Sequence, residues 1–182
     1  MPERESAVTS PPSLQVLFPS SLGPLGIELR GQKITHLVIG PKGKERKRYS
    51  PFEELFDQVD DPDFLDEIFG RLSEYFAGAR KNLDLEWDLS RAGLPRMETK
   101  ILQEVAKIPY GRTRTYQRIA NAVGHPEGYR QVLAALVNNP IPIVIPCHRV
   151  VTNKSGVGSY IAGKEKKKKL LDLEKKHAEE AS

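Results

Sequence analysis

Cys147 is the only cysteine in a chain of 182 residues, and His148 follows it directly. A thiol beside an imidazole points to nucleophilic chemistry: the thiolate attacks, and a nearby base generates it. Arg149 comes next, a cation of the kind that lowers a thiol's pKa. Taken alone, these residues leave two roles open. One is an inert buried cysteine, the commoner fate of a lone thiol; the other is an activated nucleophile, a protease-like Cys/His pair included. The remaining histidines are His36, His125 and His177, and no Gly-rich oxyanion segment stands near Cys147. A single cysteine forms no internal disulfide, which fits a reducing compartment, and it argues against a cysteine-rich zinc site.

The thiol must be held by what precedes it, "NNPIPIVIP". Pro140, Pro142 and Pro146 exclude helix there. The apolar "IVI" between them predicts a short buried strand or extended segment ending at the thiol. Further upstream, "METKILQEVAKIPYG" places Ile101, Leu102, Val105 and Ile108 on one helical side and ends at Pro109 and Gly111. "TYQRIANAVG" predicts a second helix, capped by Thr113 or Thr115, and "YRQVLAALVNN" a third beyond the turn "HPEG". Two short helices across such a turn, the second carrying Arg130 near its start, have the pattern of a helix-turn-helix.

The first half differs in character. "LQVLF", "GPLGIELRG" and "QKITHLVIG" predict three short strands, with a hairpin at Gly31-Gln32. "PKGKERKRYS" is expected to be an exposed basic loop. "DPDFLDEIFGRLSEYFAG" predicts a helix capped by Asp61 or Asp63 and stopped at Gly78, with Phe64, Leu65, Ile68, Phe69, Leu72, Tyr75 and Phe76 as a core stripe. Residues 1–90 carry net charge −5, whereas residues 91–182 carry 17 Lys/Arg against 8 Asp/Glu, net +9. A basic half of this kind fits a polyanionic partner. The lysine run Lys164–Lys169 is expected to be mostly a solvated helix face. No run reaches the roughly 18 apolar residues of a membrane span, and the polar, Pro/Ser-rich N-terminus does not have the pattern of a signal peptide.

"PIPIVIPCHRVV" resembles the active-site motif of the O6-alkylguanine-DNA alkyltransferases (the methylated-DNA–protein-cysteine methyltransferases). "IPYGRTRTYQRIA" is similar to the segment leading into that family's helix-turn-helix, "YRQVLAALVNNP" to its recognition helix and asparagine hinge, and "GVGSYIAGKEKKKKLLDLE" to its wing and terminal helix. The resemblance covers about residues 93–174. It implies an α+β fold: a small N-terminal module with an antiparallel sheet, and a mainly helical domain with a winged helix-turn-helix. The expected organisation is a disordered arm (1–12), the N-terminal module (13–88), the catalytic and DNA-binding domain (89–176) and a tail (177–182).

The resemblance also implies roles. Cys147 takes an alkyl group from O6-alkylguanine, or O4-alkylthymine, in DNA. His148 is the base, through a water, and Glu174 orients the imidazole. Tyr116 assists the leaving guanine, and Asn139 braces the turn under the site. Arg130 fills the gap left by the flipped base, with Tyr116, Thr115, Gln117 and Arg149 also at the DNA. Val150, Ser159 and Tyr160 line the base pocket. No metal or cofactor is implied. The implied partner is double-stranded DNA, met as a monomer in the minor groove with little sequence preference, in the cytoplasm and nucleoid, or in a nucleus. A lesion sensor without transfer activity and a thiol hydrolase unrelated to DNA are the other classes considered; sensors of that type lack the cysteine. The chain departs from the pattern at Arg96 and Met97, where a large apolar residue such as phenylalanine is usual, at Leu133, where small residues are usual, and at Ala162-Gly163 in place of Gly-Gly. These bear on tolerated alkyl size and on how closely DNA approaches.

Overall fold

Period-2 apolar residues build the sheet. On β2 (Leu25–Arg30), Leu25, Ile27 and Leu29 are all buried, and β1 (Ser13–Phe18) buries Val16 and Phe18 beside them. On β3 (Lys33–Ile39) the buried residues are Ile34, Leu37 and Ile39, so the alternation slips once. A register shift at Glu28/Leu29 absorbs that slip, as a bulge does when one strand carries an extra residue. Gly31 makes the β2–β3 turn with φ of 54°, a conformation that costs glycine little. The computed structural model describes residues 13–55, 61–152 and 156–179; the expected N-terminal arm lies outside them.

The sheet order is β3-β2-β1-β4. β1, β2 and β3 are antiparallel, as expected, but β4 (Ser50–Pro51) pairs parallel with β1. The basic segment is therefore more than a loop. It holds a one-turn helix, α1 (Gly43–Arg46), and leads into β4 and α2 (Phe52–Leu55). Phe52 explains the return to the sheet: its ring lies 5.3 Å from Phe18 and 5.1 Å from Phe69.

Helix α3 (Pro62–Phe76) starts where Asp61 accepts a 3.0 Å hydrogen bond from the Phe64 amide, and Pro62 suits its first turn. It buries Leu65, Ile68, Leu72 and Tyr75 against the sheet. The following connector adds to the sheet's edge, with Ile34 donating to Glu86 O at 2.9 Å and Asp88 donating to Ile34 O at 3.0 Å.

The second half is helical. α4 (Arg96–Ala106) buries Ile101, Leu102 and Val105 against α5 (Tyr116–Ala122) and α6 (Tyr129–Val137). Thr115 caps α5, accepting from the Arg118 amide at 3.2 Å. β5 (Arg114–Thr115) pairs parallel with β6 (Val150–Val151), which ties the start of α5 to the residues just after the thiol. α7 (Lys164–Glu179) closes the fold. It continues through the first residues of the expected tail, because His177 and Ala178 still pack, His177 against Gly78 and Ala178 against Gly111. One hydrophobic cluster runs through both halves, from Val16 and Phe18 to Cys147 and Leu170. Among the described residues no helix is long and apolar enough to cross a membrane.

Candidate active site

The segment before the thiol is a buried tight turn, not the expected strand. Ile143 sits at φ of 76°, a conformation that costs a β-branched residue on the order of 1–3 kcal/mol. Asn139 holds it there. Its Nδ2 donates to Ile145 O at 3.0 Å, and its Oδ1 accepts from the Ile141 amide at 3.0 Å. Ile145 N also donates to Ile141 O at 2.9 Å, and Leu37 N in β3 donates to Pro140 O at 2.7 Å. The chain then makes a single 3-10 turn, Cys147–Arg149. The resulting thiol is 2% exposed.

Behind the thiol lies a charged network that water scarcely reaches. His148 is 0% and Glu174 1% exposed. His148 Nε2 lies 2.8 Å from Glu174 Oε1. Arg149 donates to the same carboxylate through Nε and Nη2 at 2.8–3.1 Å, and through Nη1 to Ile108 O at 2.6 Å. Gly111 N donates to Glu174 Oε2 at 3.0 Å. Glycine is required there: φ is 69°, and a Cβ would stand 2.6 Å from that of Ala178. Tyr75, from the N-terminal module, donates its hydroxyl to Glu174 Oε1 at 2.6 Å. With Nε2–H committed to the carboxylate, the His148 tautomer leaves Nδ1 as the acceptor, and Nδ1 has no hydrogen-bond partner among the described residues.

Burial would raise the Glu174 carboxyl, but His148 and Arg149 outweigh it and hold it at about 2. Burial also lowers the His148 imidazole, against the pull of Glu174. Both effects make the fold sensitive to acid. A histidine kept neutral when folded takes up a proton on unfolding below its free value of 6.5, so stability falls from there. Glu174 adds a further loss between its free value, 4.5, and about 2. Denaturant melts at stepped pH should show stability declining below about pH 6.5 and steepening below 4.5. Glu174→Gln should shrink the second phase, leaving what Asp88 and Glu104, also lowered, contribute; an unchanged acid profile in that variant would show the carboxylate is not a titrating group.

For the thiol the structure corrects the sequence expectation. Burial pushes Cys147 up to about 11, only partly offset by a hydrogen bond from Asn139 and the charge of Lys167. Arg149 does not activate it, because its guanidinium is spent on Glu174. Burial therefore favours the thiol form of Cys147, and chemistry at its sulfur would need a base.

A cavity of about 10 Å³, lined by Tyr116, Leu133, Leu136, Ser159, Tyr160 and their neighbours, opens on Cys147. That volume is about one water molecule's worth. Val150 is fully buried, whereas Ser159 is exposed. The Tyr160 hydroxyl is buried without a hydrogen-bond partner among the described residues, and Tyr116 is 2% exposed. Leu133, one of the departures, narrows this cavity; Met97 and Ala162 pack on the core, and Arg96 points outward. Lys167, expected on a solvated face, is 0% exposed. It donates to Val150 O at 2.6 Å and Ser159 O at 3.1 Å, tying the two pocket walls together. Burial brings its ammonium down to about 8.

The residues expected at DNA divide. Arg130 and Gln117 are exposed, although Gln117 Nε2 donates to Asn121 Oδ1 at 3.0 Å and Pro126 O at 2.6 Å. Thr115 serves as the α5 cap. Arg149 is 8% exposed and locked to Glu174, so the expectation that it contacts DNA is withdrawn. Sequence reasoning missed Tyr75 and Lys167. Tyr75 looked like one more stripe residue. Lys167 shares a helix face with Leu170 and Glu174 at i, i+3 and i+7, and that spacing was the available signal.

A helix-turn-helix backed by a buried thiol, imidazole and carboxylate defines a DNA-binding type of domain. Residues 96–176 match the family model for the DNA-binding domain of 6-O-methylguanine DNA methyltransferase. A methylated-DNA–protein-cysteine methyltransferase of Methanosarcina barkeri is 34% identical over 87% of this chain and 94% of its own length. The Mycobacterium bovis protein of the same name is 33% identical over 87% and 90%. The crystal structure of the Mycobacterium tuberculosis OGT in complex with DNA superposes with a TM-score of 0.74, at 31% identity, covering 90% of this chain and 93% of that one. The chain belongs to the methylated-DNA–protein-cysteine methyltransferase family, whose reaction is DNA repair by alkyl transfer.

Proposed function

We propose that Cys147 takes the alkyl group from O6 of a guanine flipped out of duplex DNA, one group per molecule. The observation that carries this reading is the placement of one buried thiol between a helix-turn-helix cavity and the His148–Glu174 pair. The thiol proton passes through a water to His148 Nδ1. The sulfur forms a bond to the alkyl carbon as the carbon–O6 bond breaks, and the electron pair goes to the guanine. Tyr116 donates a hydrogen bond or proton to N3 of the departing base. Its hydroxyl is well placed for this, since it lies against Gly158 beside the thiol cavity. Glu174 holds the imidazole and offsets the charge it acquires, as such carboxylates do. The product is a thioether with no easy leaving chemistry, so the protein is consumed.

DNA is the partner, and the basic second half supports that reading through its net +9. Approach from the minor groove fits a protein that reads little sequence, because base readout there is degenerate. The protein acts as a monomer wherever the cell keeps its DNA, in a nucleoid or nucleus. Arg130, exposed at the second residue of α6, fills the gap left by the base.

Arg130→Ala tests the flipping step. Flipping costs a few kcal/mol, so the rate on a duplex carrying O6-methylguanine should fall about 10- to 100-fold. Transfer from free O6-benzylguanine, which needs no flipping, should be unaffected. Equal rates on duplex for variant and parent would reduce Arg130 to a surface charge.

A further inference from the structure

We propose that Tyr75, on the last turn of α3, is a positioning residue for alkyl transfer, its hydroxyl fixing the carboxylate that orients His148. The proposal rests on the transfer reaction assigned to Cys147 above. It gives the N-terminal module a part in the chemistry.

The geometry is specific. Tyr75 is 1% exposed, and its ring is set by edge-on contacts to Phe76 at 5.3 Å and Tyr110 at 5.8 Å. A phenylalanine would pack equally well there, so the hydroxyl is not needed for the core stripe. That hydroxyl donates to Glu174 Oε1 at 2.6 Å, the same oxygen that faces His148 Nε2 at 2.8 Å. It stands 3.5 Å from Nε2 itself, too far for a good hydrogen bond. Tyr75 therefore acts on the imidazole through the carboxylate. Arg149 grips Glu174 from the 3-10 turn and Gly111 from the loop after α4. Tyr75 supplies the contact from the other module, so the carboxylate is held from three directions.

The hydroxyl has an electronic consequence as well. By donating to Oε1 it draws electron density from the oxygen that stabilises a protonated His148. Removing it leaves that oxygen more basic toward the imidazole, and the pKa of the His148–Glu174 pair rises. The other groups facing the pair are Arg149 and Cys147 from the 3-10 turn, Tyr110 from the loop after α4, Lys167 from α7 and Tyr160 from the pocket wall. None is changed by deleting the Tyr75 hydroxyl.

The test is Tyr75→Phe in the full chain, assayed with duplex DNA carrying O6-methylguanine. Duplex affinity should match the parent, the transfer rate at neutral pH should fall about tenfold, and the acid limb of the pH–rate profile should move to higher pH. In a Glu174→Gln background the same substitution should have no further effect on rate, because its route of action is gone. A parental rate and profile for Tyr75→Phe would overturn the proposal. So would a uniform loss at every pH that tracks a lower melting temperature, or full additivity with Glu174→Gln. Failure of the unmodified protein to take up any alkyl group would instead overturn the reaction itself.

Discussion

Cys147→Ser binds duplex DNA as the parent does and gains no alkyl group. Serine nearly preserves the side-chain volume, so the packed surroundings of Asn139, Tyr116 and Tyr160 are undisturbed. The hydroxyl, however, is a far weaker nucleophile than sulfur, and His148, whose imidazole is lowered by burial, is too weak a base to ionise it. No second thiol exists in the chain to substitute. Transfer should fall at least a thousandfold, on the scale of losing a covalent catalyst's nucleophile. Gel-shift affinity and intact mass, measured on the same preparation, check it. Alkylated serine variant would show that the acceptor lies elsewhere.

Asn139→Ala should be the most disruptive substitution outside the reacting pair. It strips the buried Ile141 amide of its partner and takes one of two donors from the Ile145 carbonyl, which keeps the Cys147 amide at 2.8 Å. The stranded amide costs about 1–3 kcal/mol, and Ile143 loses the brace that holds it at positive φ. A loss of roughly 2–5 kcal/mol follows, a large share of the 5–15 kcal/mol of a typical domain. The thiol also loses the hydrogen bond that offsets its burial, so transfer should slow beyond what unfolding explains. Urea titration and single-turnover rates at low temperature separate the two effects. A stability change under about 0.5 kcal/mol would mean the turn is held by something else.

These predictions also mark what the sequence could and could not disclose. Leu25, Ile27 and Leu29, and the α3 stripe, were legible because burial on one face imposes a period of two or 3.6. The Thr115 cap and the Gly31 and Gly78 turns were legible because few residue types satisfy those backbone demands. β4 was not, since a two-residue parallel pairing leaves no period and depends on Phe52 reaching Phe18 and Phe69. The turn at Ile143 was misread because isoleucine seldom takes positive φ; only the distant grip of Asn139 and its neighbours makes that conformation tolerable. The motif around Cys147 indicated the reaction. It did not reveal that Arg149 turns inward to Glu174, or that Tyr75 and Lys167 enter the site from elements whose patterns read as core and surface. Charge networks assembled from distant segments carry no local period.

The central claim is that Cys147 is consumed by accepting one alkyl group. The most direct measurement is intact mass, with peptide mapping, after the unmodified protein meets an excess of duplex containing O6-methylguanine. The account predicts a gain equal to one methylene, complete in every active molecule, confined to the peptide bearing Cys147, and matched mole for mole by guanine restored in the DNA. No gain in mass, a gain on another residue, or repaired guanine in molar excess over protein would contradict it.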